Sequence, residues 1–88
     1  MLRRSLLINP KDNVAVVLEE SKQADFITVR GDNVILLEDV IFAHKVALKD
    51  FKKGDVVFKY GEDIGFAVED ISKGAWVHTH NMGCRRGK

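Results

Sequence analysis

The sequence predicts a small, mostly β domain built from long bent hairpins and one-turn helices. Three observations lead there. Val and Ile are abundant, and no amphipathic period of 3.6 residues lasts two full turns. Short apolar runs recur instead, punctuated by Gly, Asn and Asp. And Asp50-Phe51-Lys52-Lys53-Gly54-Asp55-Val56-Val57 returns twenty positions later as Asp70-Ile71-Ser72-Lys73-Gly74-Ala75-Trp76-Val77. In each copy an Asp suits the N-cap of a single helical turn, an apolar residue plugs inward and a Gly supplies a left-handed exit into a strand. Common corner chemistry explains the repeat as well as duplication does.

The elements follow in order. Met1 to Ile8 is basic and then briefly apolar; it is too short for a signal-peptide core and reads as a first strand at Leu6–Ile8. Further strands are expected at Val14–Glu19, Phe26–Arg30, Val34–Leu37, Lys45–Leu48, Val56–Tyr60, Ile64–Val68 and Ala75–Thr79. Gly31-Asp32-Asn33 reads as a tight hairpin, and Gly61 suits the first central position of a II′-type turn. Residues 82–88 read as a flexible basic tail on a single domain spanning 1–88.

Size and charge narrow the function. A chain of 88 residues allows one compact domain, which is too little to enclose a metal, a substrate and a set of proton-transfer groups. Lys plus Arg number 14 against 13 Asp plus Glu, a balance that argues against a nucleic-acid binder. Cys84 is the single cysteine, so no intrachain disulfide forms and a reducing, cytoplasmic setting is expected. No apolar run approaches the ~20 residues needed to span a bilayer. Nucleophile-elbow, P-loop and zincin motifs are absent.

Three histidines are the side chains suited to acid–base work near neutral pH. In Trp76-Val77-His78-Thr79-His80-Asn81, strand alternation would put Trp76, His78 and His80 on one face. That face suits a metal or an anionic substrate; it also suits a plain polar strand end. His44 shares its expected face with Val46 and Leu48, as a hydrogen-bonded core histidine would. Lys45 would face the other way, toward solvent or a ligand. Asn81 adds an amide, and Arg85, Arg86 and Lys88 add positive charge at the end.

The runs His44-Lys45-Val46-Ala47-Leu48, Lys59-Tyr60-Gly61-Glu62-Asp63-Ile64-Gly65 and Val77-His78-Thr79-His80-Asn81, with Asp12-Asn13-Val14-Ala15-Val16 before them, resemble the SAF domain of altronate/galactarate dehydratases. Val40-Ile41-Phe42-Ala43 stands where that family carries Ile-Pro-Ala-Gly, so the turn before His44 lacks its glycine. The resemblance implies a β-clip fold acting with a large dehydratase subunit that holds most of an iron- or manganese-type metal site. The chain's end soon after Asn81 gives the expectation of a separate small subunit. The implied reaction is β-elimination of water from a sugar acid, in which a metal stabilises the enediolate and imidazoles move protons. On this basis His78 and His80 are the expected catalytic residues, and also the candidate metal ligands. His44, Lys45, Asn81, Arg85 and Arg86 are expected to bind substrate. No nucleic acid and no membrane is expected as a partner, and a homo-oligomer of the isolated chain stays open. The alternatives are a non-catalytic carbohydrate-binding or assembly module, and the small subunit of a sulfolactate sulfo-lyase.

Overall fold

Apolar runs too short for helices, each closed by Gly, Asn or Asp, leave antiparallel strands as the way to satisfy the backbone. The computed structural model describes residues 1–84. The expected binding residues Arg85 and Arg86, with Lys88, lie outside them. The described residues form nine strands and no helix: β1 (Ser5–Leu6), β2 (Val14–Val17), β3 (Phe26–Val29), β4 (Asp32–Ile35), β5 (Lys45–Ala47), β6 (Val56–Lys59), β7 (Glu62–Ala67), β8 (Trp76–Val77) and β9 (Met82–Gly83). All strand pairs are antiparallel.

A central sheet runs in the order β1-β2-β5-β8, with hairpin β3-β4 and the three-stranded β6-β7-β9 beside it. Alternation splits the central strands between two cores. Ala15, Val17 and Val46 face the first, with Ile27, Val29, Val34 and Leu36. Val14, Ala47 and Val77 face the second, with Phe51, Val57, Ala67 and Ile71. Burial on both faces is why β2 reads as an unbroken apolar run rather than an alternating one. Each fully buried Val or Ile contributes roughly 1.5–3 kcal/mol.

The hydrogen bonds reveal a longer repeat than the sequence showed. Residues 14–33 correspond to 44–63 thirty positions on, and 34–46 to 65–77 after one inserted residue, Ile64, at the β7 bulge. Ala24 N donates to Leu36 O (2.9 Å) as Gly54 N does to Ala67 O (2.7 Å). Lys22 N donates to the Asp25 carboxylate as Lys52 N does to Asp55, both at 2.8 Å. Both hairpins turn on two residues of positive φ, Arg30-Gly31 and Tyr60-Gly61. These are I′-type turns, which match the strand twist. Gly61 is therefore second in its turn rather than first. The Asp12 carboxylate explains why Tyr60 tolerates φ 59°: it accepts from Tyr60 N (3.0 Å) and Gly61 N (2.8 Å).

The expected one-turn helices are replaced by plain turns, and the reason is the location of the caps. Asp50 accepts from Lys73 N (2.8 Å) and Asp70 from Lys53 N (2.9 Å), so each aspartate braces the other corner. Phe51 and Ile71 bridge between them. Glu20 and Asp39 brace the first pair of corners likewise, through Phe42 N and Gln23 N. In that pair Ala24 (φ 76°) and Ala43 (φ 73°) stand where Gly54 and Gly74 stand in the second. The corner before His44 thus forms without its glycine, at a cost of roughly 1–2 kcal/mol for a left-handed alanine. Ala43→Gly should raise the melting temperature by a few degrees, after the unfolded-state entropy of glycine offsets part of the gain. An unchanged or lower midpoint in thermal melts would contradict the strain.

Met82–Gly83, the first two residues of the expected tail, form a strand paired with β7. Met82 packs on the second core.

Candidate functional site

The chain gathers its imidazoles around one indole. β5 and β8 are neighbours, with Val46 opposite Trp76 and Lys45 opposite Val77. This places His44, just before β5, beside His78, just after β8. Trp76 Nε1 donates to His44 Nδ1 (2.9 Å). The neutral His44 ring therefore carries its proton on Nε2. The His44 and His78 ring centres lie 4.6 Å apart. His78 stacks on Trp76 at 5.4 Å and 11°, and His80 tilts against Trp76 at 4.8 Å. Trp76 N is held by the Glu38 carboxylate (3.0 Å).

His78 and His80 meet the same indole, but not by strand alternation. The expected strand Ala75–Thr79 stops at Val77, and a turn follows in which Asn81 N (3.1 Å) and Met82 N (2.9 Å) both donate to His78 O. Asn81, 4% exposed, locks that turn. Its Nδ2 donates to Trp76 O (2.8 Å) and its Oδ1 accepts from His78 N (3.0 Å). Its amide is directed at the chain itself, so it positions His78 rather than reaching outward. His44 is half-buried, His78 half-buried and His80 exposed, and the cluster opens at the sheet end. Among the described residues no side chain has an unsatisfied buried polar atom.

No group of three or more His, Cys, Asp or Glu side chains among the described residues is arranged to hold a metal ion. His44 Nδ1 is engaged by Trp76, and His80 packs against Trp76. These residues do not by themselves fit a resident metal. Glu38 has no counterpart in the sequence expectations. The signal for it was the correspondence of Glu38-Asp39 with Glu69-Asp70 across the long repeat.

Residues 3–85 match the family model of the altronate/galactarate dehydratase SAF domain. The chain belongs to that family. The SAF domain is 45% identical to the altronate dehydratase of Escherichia coli (strain K12) over 74 residues, covering 84% of this chain and 15% of that enzyme. It is 54% identical over 48 residues to the (2R)-sulfolactate sulfo-lyase subunit alpha of Paracoccus pantotrophus, covering 54% of this chain and 72% of that subunit. It is 34% identical to a galactarate dehydratase (L-threo-forming) of Escherichia coli (strain K12), covering 80% of this chain and 13% of that protein. The SAF domain thus spans less than a fifth of the dehydratases it matches. No helix among its described residues is long and apolar enough to cross a membrane.

The cluster tunes His78. Desolvation first, then the charges of His44, Lys45 and His80, hold its imidazole below the ordinary 6.5. The unfolded chain then takes up this proton first as pH falls. His78 should subtract nothing from stability above pH 6.5, and progressively more as pH drops toward its folded value. A ring-proton NMR titration should give a His78 midpoint below 6.5, and His78→Gln should flatten the fall in melting temperature between pH 7 and pH 5. A midpoint at or above 6.5 would contradict this account.

Proposed function

We propose that this SAF domain is the small component of a sugar-acid dehydratase, a hydro-lyase, acting with a larger catalytic partner. The observation that carries the reading is the open cluster of His44, His78 and His80 around Trp76. A surface imidazole cluster with a ring held in one tautomer and another kept deprotonated near neutral pH suits proton transfer. Elimination of water from a polyhydroxy acid needs one group to take the proton α to the carboxylate and another to protonate the departing hydroxyl. His78, short of its proton at neutral pH, suits the first task or its relay. His80, exposed beside it, suits contact with substrate on the partner. The iron- or manganese-type metal implied by the family resemblance would rest on the larger partner, since the described residues of this chain do not gather the ligands for it. A cytoplasmic setting goes with this reading.

A second reading has its own support. The 54% identity to a sulfo-lyase subunit alpha covers most of that subunit. The same α-proton removal would then expel sulfite instead of water. One experiment separates the two: the chain is mixed with its larger partner and supplied with altronate, galactarate or (2R)-sulfolactate. Sustained product formation is expected from the mixture and not from this chain alone, because 88 residues cannot enclose the whole machinery. Turnover by this chain alone, or by the partner equally well without it, would overturn the reading.

A further inference from the structure

We infer that Trp76 is a positioning residue that locks His44 as a hydrogen-bond donor and leaves proton transfer to His78 and His80. The indole Nε1–H can only donate, and it meets His44 Nδ1 at 2.9 Å. Nδ1 is then the acceptor, and it cannot take a proton without losing that bond. The other ring nitrogen, Nε2, carries the hydrogen. It has no partner among the described residues, and no half-buried side chain there hides an unpaired polar atom, so this N–H is open to solvent. His78 and His80 meet the same indole only through their rings, at 5.4 and 4.8 Å, and their side chains make no hydrogen bond among the described residues. Both stay free to change tautomer and to carry a proton.

The indole is itself held from both sides. β8 is the last strand of the central sheet. In place of a further strand, the Glu38 carboxylate accepts from Trp76 N (3.0 Å) and Asn81 Nδ2 donates to Trp76 O (2.8 Å). On the inner side Trp76 is paired with Val46, and His44 stands two residues before Val46. Strand pairing brings the two rings together, and the donor on Nδ1 selects the tautomer. The result is a division of labour among the imidazoles. A donor of fixed tautomer lies beside a free imidazole, with the ring centres of His44 and His78 at 4.6 Å. His44 Nε2–H suits a carboxylate or hydroxyl oxygen and would orient a sugar acid while His78 moves the proton. The lock stands on the geometry; its use on a sugar acid rests on the proposed dehydratase reading.

The test begins with nitrogen NMR of the whole isotope-labelled chain. A scalar coupling across the hydrogen bond should link Trp76 Nε1 to His44 Nδ1, and His44 should show one tautomer while His78 and His80 exchange between two. Trp76→Phe removes the donor and keeps a stacking ring, so the coupling should vanish and His44 should populate both tautomers. Glu38→Ala keeps the indole and frees Trp76 N; it should weaken the coupling, and it serves where the Phe variant fails to fold. Absence of the coupling in the wild-type chain, or a His44 tautomer unchanged in both variants, would overturn the lock. Turnover of altronate or galactarate with the larger partner tests the donor role. His44→Phe should lower it by about tenfold or more, the scale of one hydrogen bond to a charged group. His44→Gln should restore most of the loss, because its amide N–H replaces Nε2–H but moves no proton. His44→Gln as inactive as His44→Phe would overturn the donor role. A partnered wild-type chain that turns over neither acid would overturn the dehydratase reading and the donor role with it, while the lock stands on the NMR result.

Discussion

His78→Ala and His80→Ala should each lower turnover of the partnered enzyme by about 10²-fold or more, while the isolated chain keeps its fold. The size of the first effect is the usual scale for loss of an acid–base group. The small second effect follows from what these rings touch. His78 contributes its backbone N and O to the turn, and alanine keeps both. What His78→Ala removes is the stacking on Trp76, worth roughly 0.5–1.5 kcal/mol, hence a melting shift of a few degrees. His80 is exposed and loses less. Steady-state rates with the partner, set beside thermal melts of the same preparations, check both halves. Full activity in both variants would make the histidines structural.

Gly74→Ala should be strongly destabilising for the addition of a single methyl. Gly74 has φ +92°, and a Cβ there would stand 2.0 Å from Ile35 O and 3.2 Å from Ile35 C. The obstruction is backbone, at the end of β4, so no side chain can swing away. Gly74 O also accepts from Leu37 N (3.0 Å), and Gly74 N donates to Ala47 O (2.9 Å), so a shift breaks the tie between the first hairpin and β5. Left-handed strain of roughly 1–2 kcal/mol adds to an overpacking cost of roughly 1–3 kcal/mol. A loss of about 3 kcal/mol lowers the midpoint of a domain this size by on the order of 12–24 °C. Gly54→Ala is the internal control. Its φ is +95° but nothing lies within 4 Å of the added carbon, so the loss should stop near the strain term. Equal melting shifts in the two variants would contradict the close approach at Gly74.

That pair of corners also shows what was legible in the sequence. Gly54 and Gly74 announced their turns, since glycine adopts φ > 0 without a Cβ clash. Ala24 and Ala43 adopt the same conformation silently, so two of the four corners, and the thirty-residue repeat that contains them, were hidden. The eight apolar runs gave eight strands because side-chain burial and strand period agree. The ninth, Met82–Gly83, is two residues long and held by pairing to β7, which no local pattern encodes. Reciprocal capping of Asp50 and Asp70 is also non-local, which is why isolated N-caps were the natural expectation. At the site, His-x-His spacing did find two rings on one indole. A turn locked by Asn81 brings them there, and the Trp76–His44 bond joins residues far apart in sequence.

The central claim is that the histidine face meets the catalytic partner, and ring-nitrogen NMR of the isotope-labelled chain tests it most directly. In the isolated chain His44 should show the Nε2–H tautomer, as its bond from Trp76 requires. On addition of the larger partner and a sugar acid, the ring signals of His78 and His80 should shift or broaden selectively. Ring signals that stay unmoved while the partner binds elsewhere on the domain would contradict it.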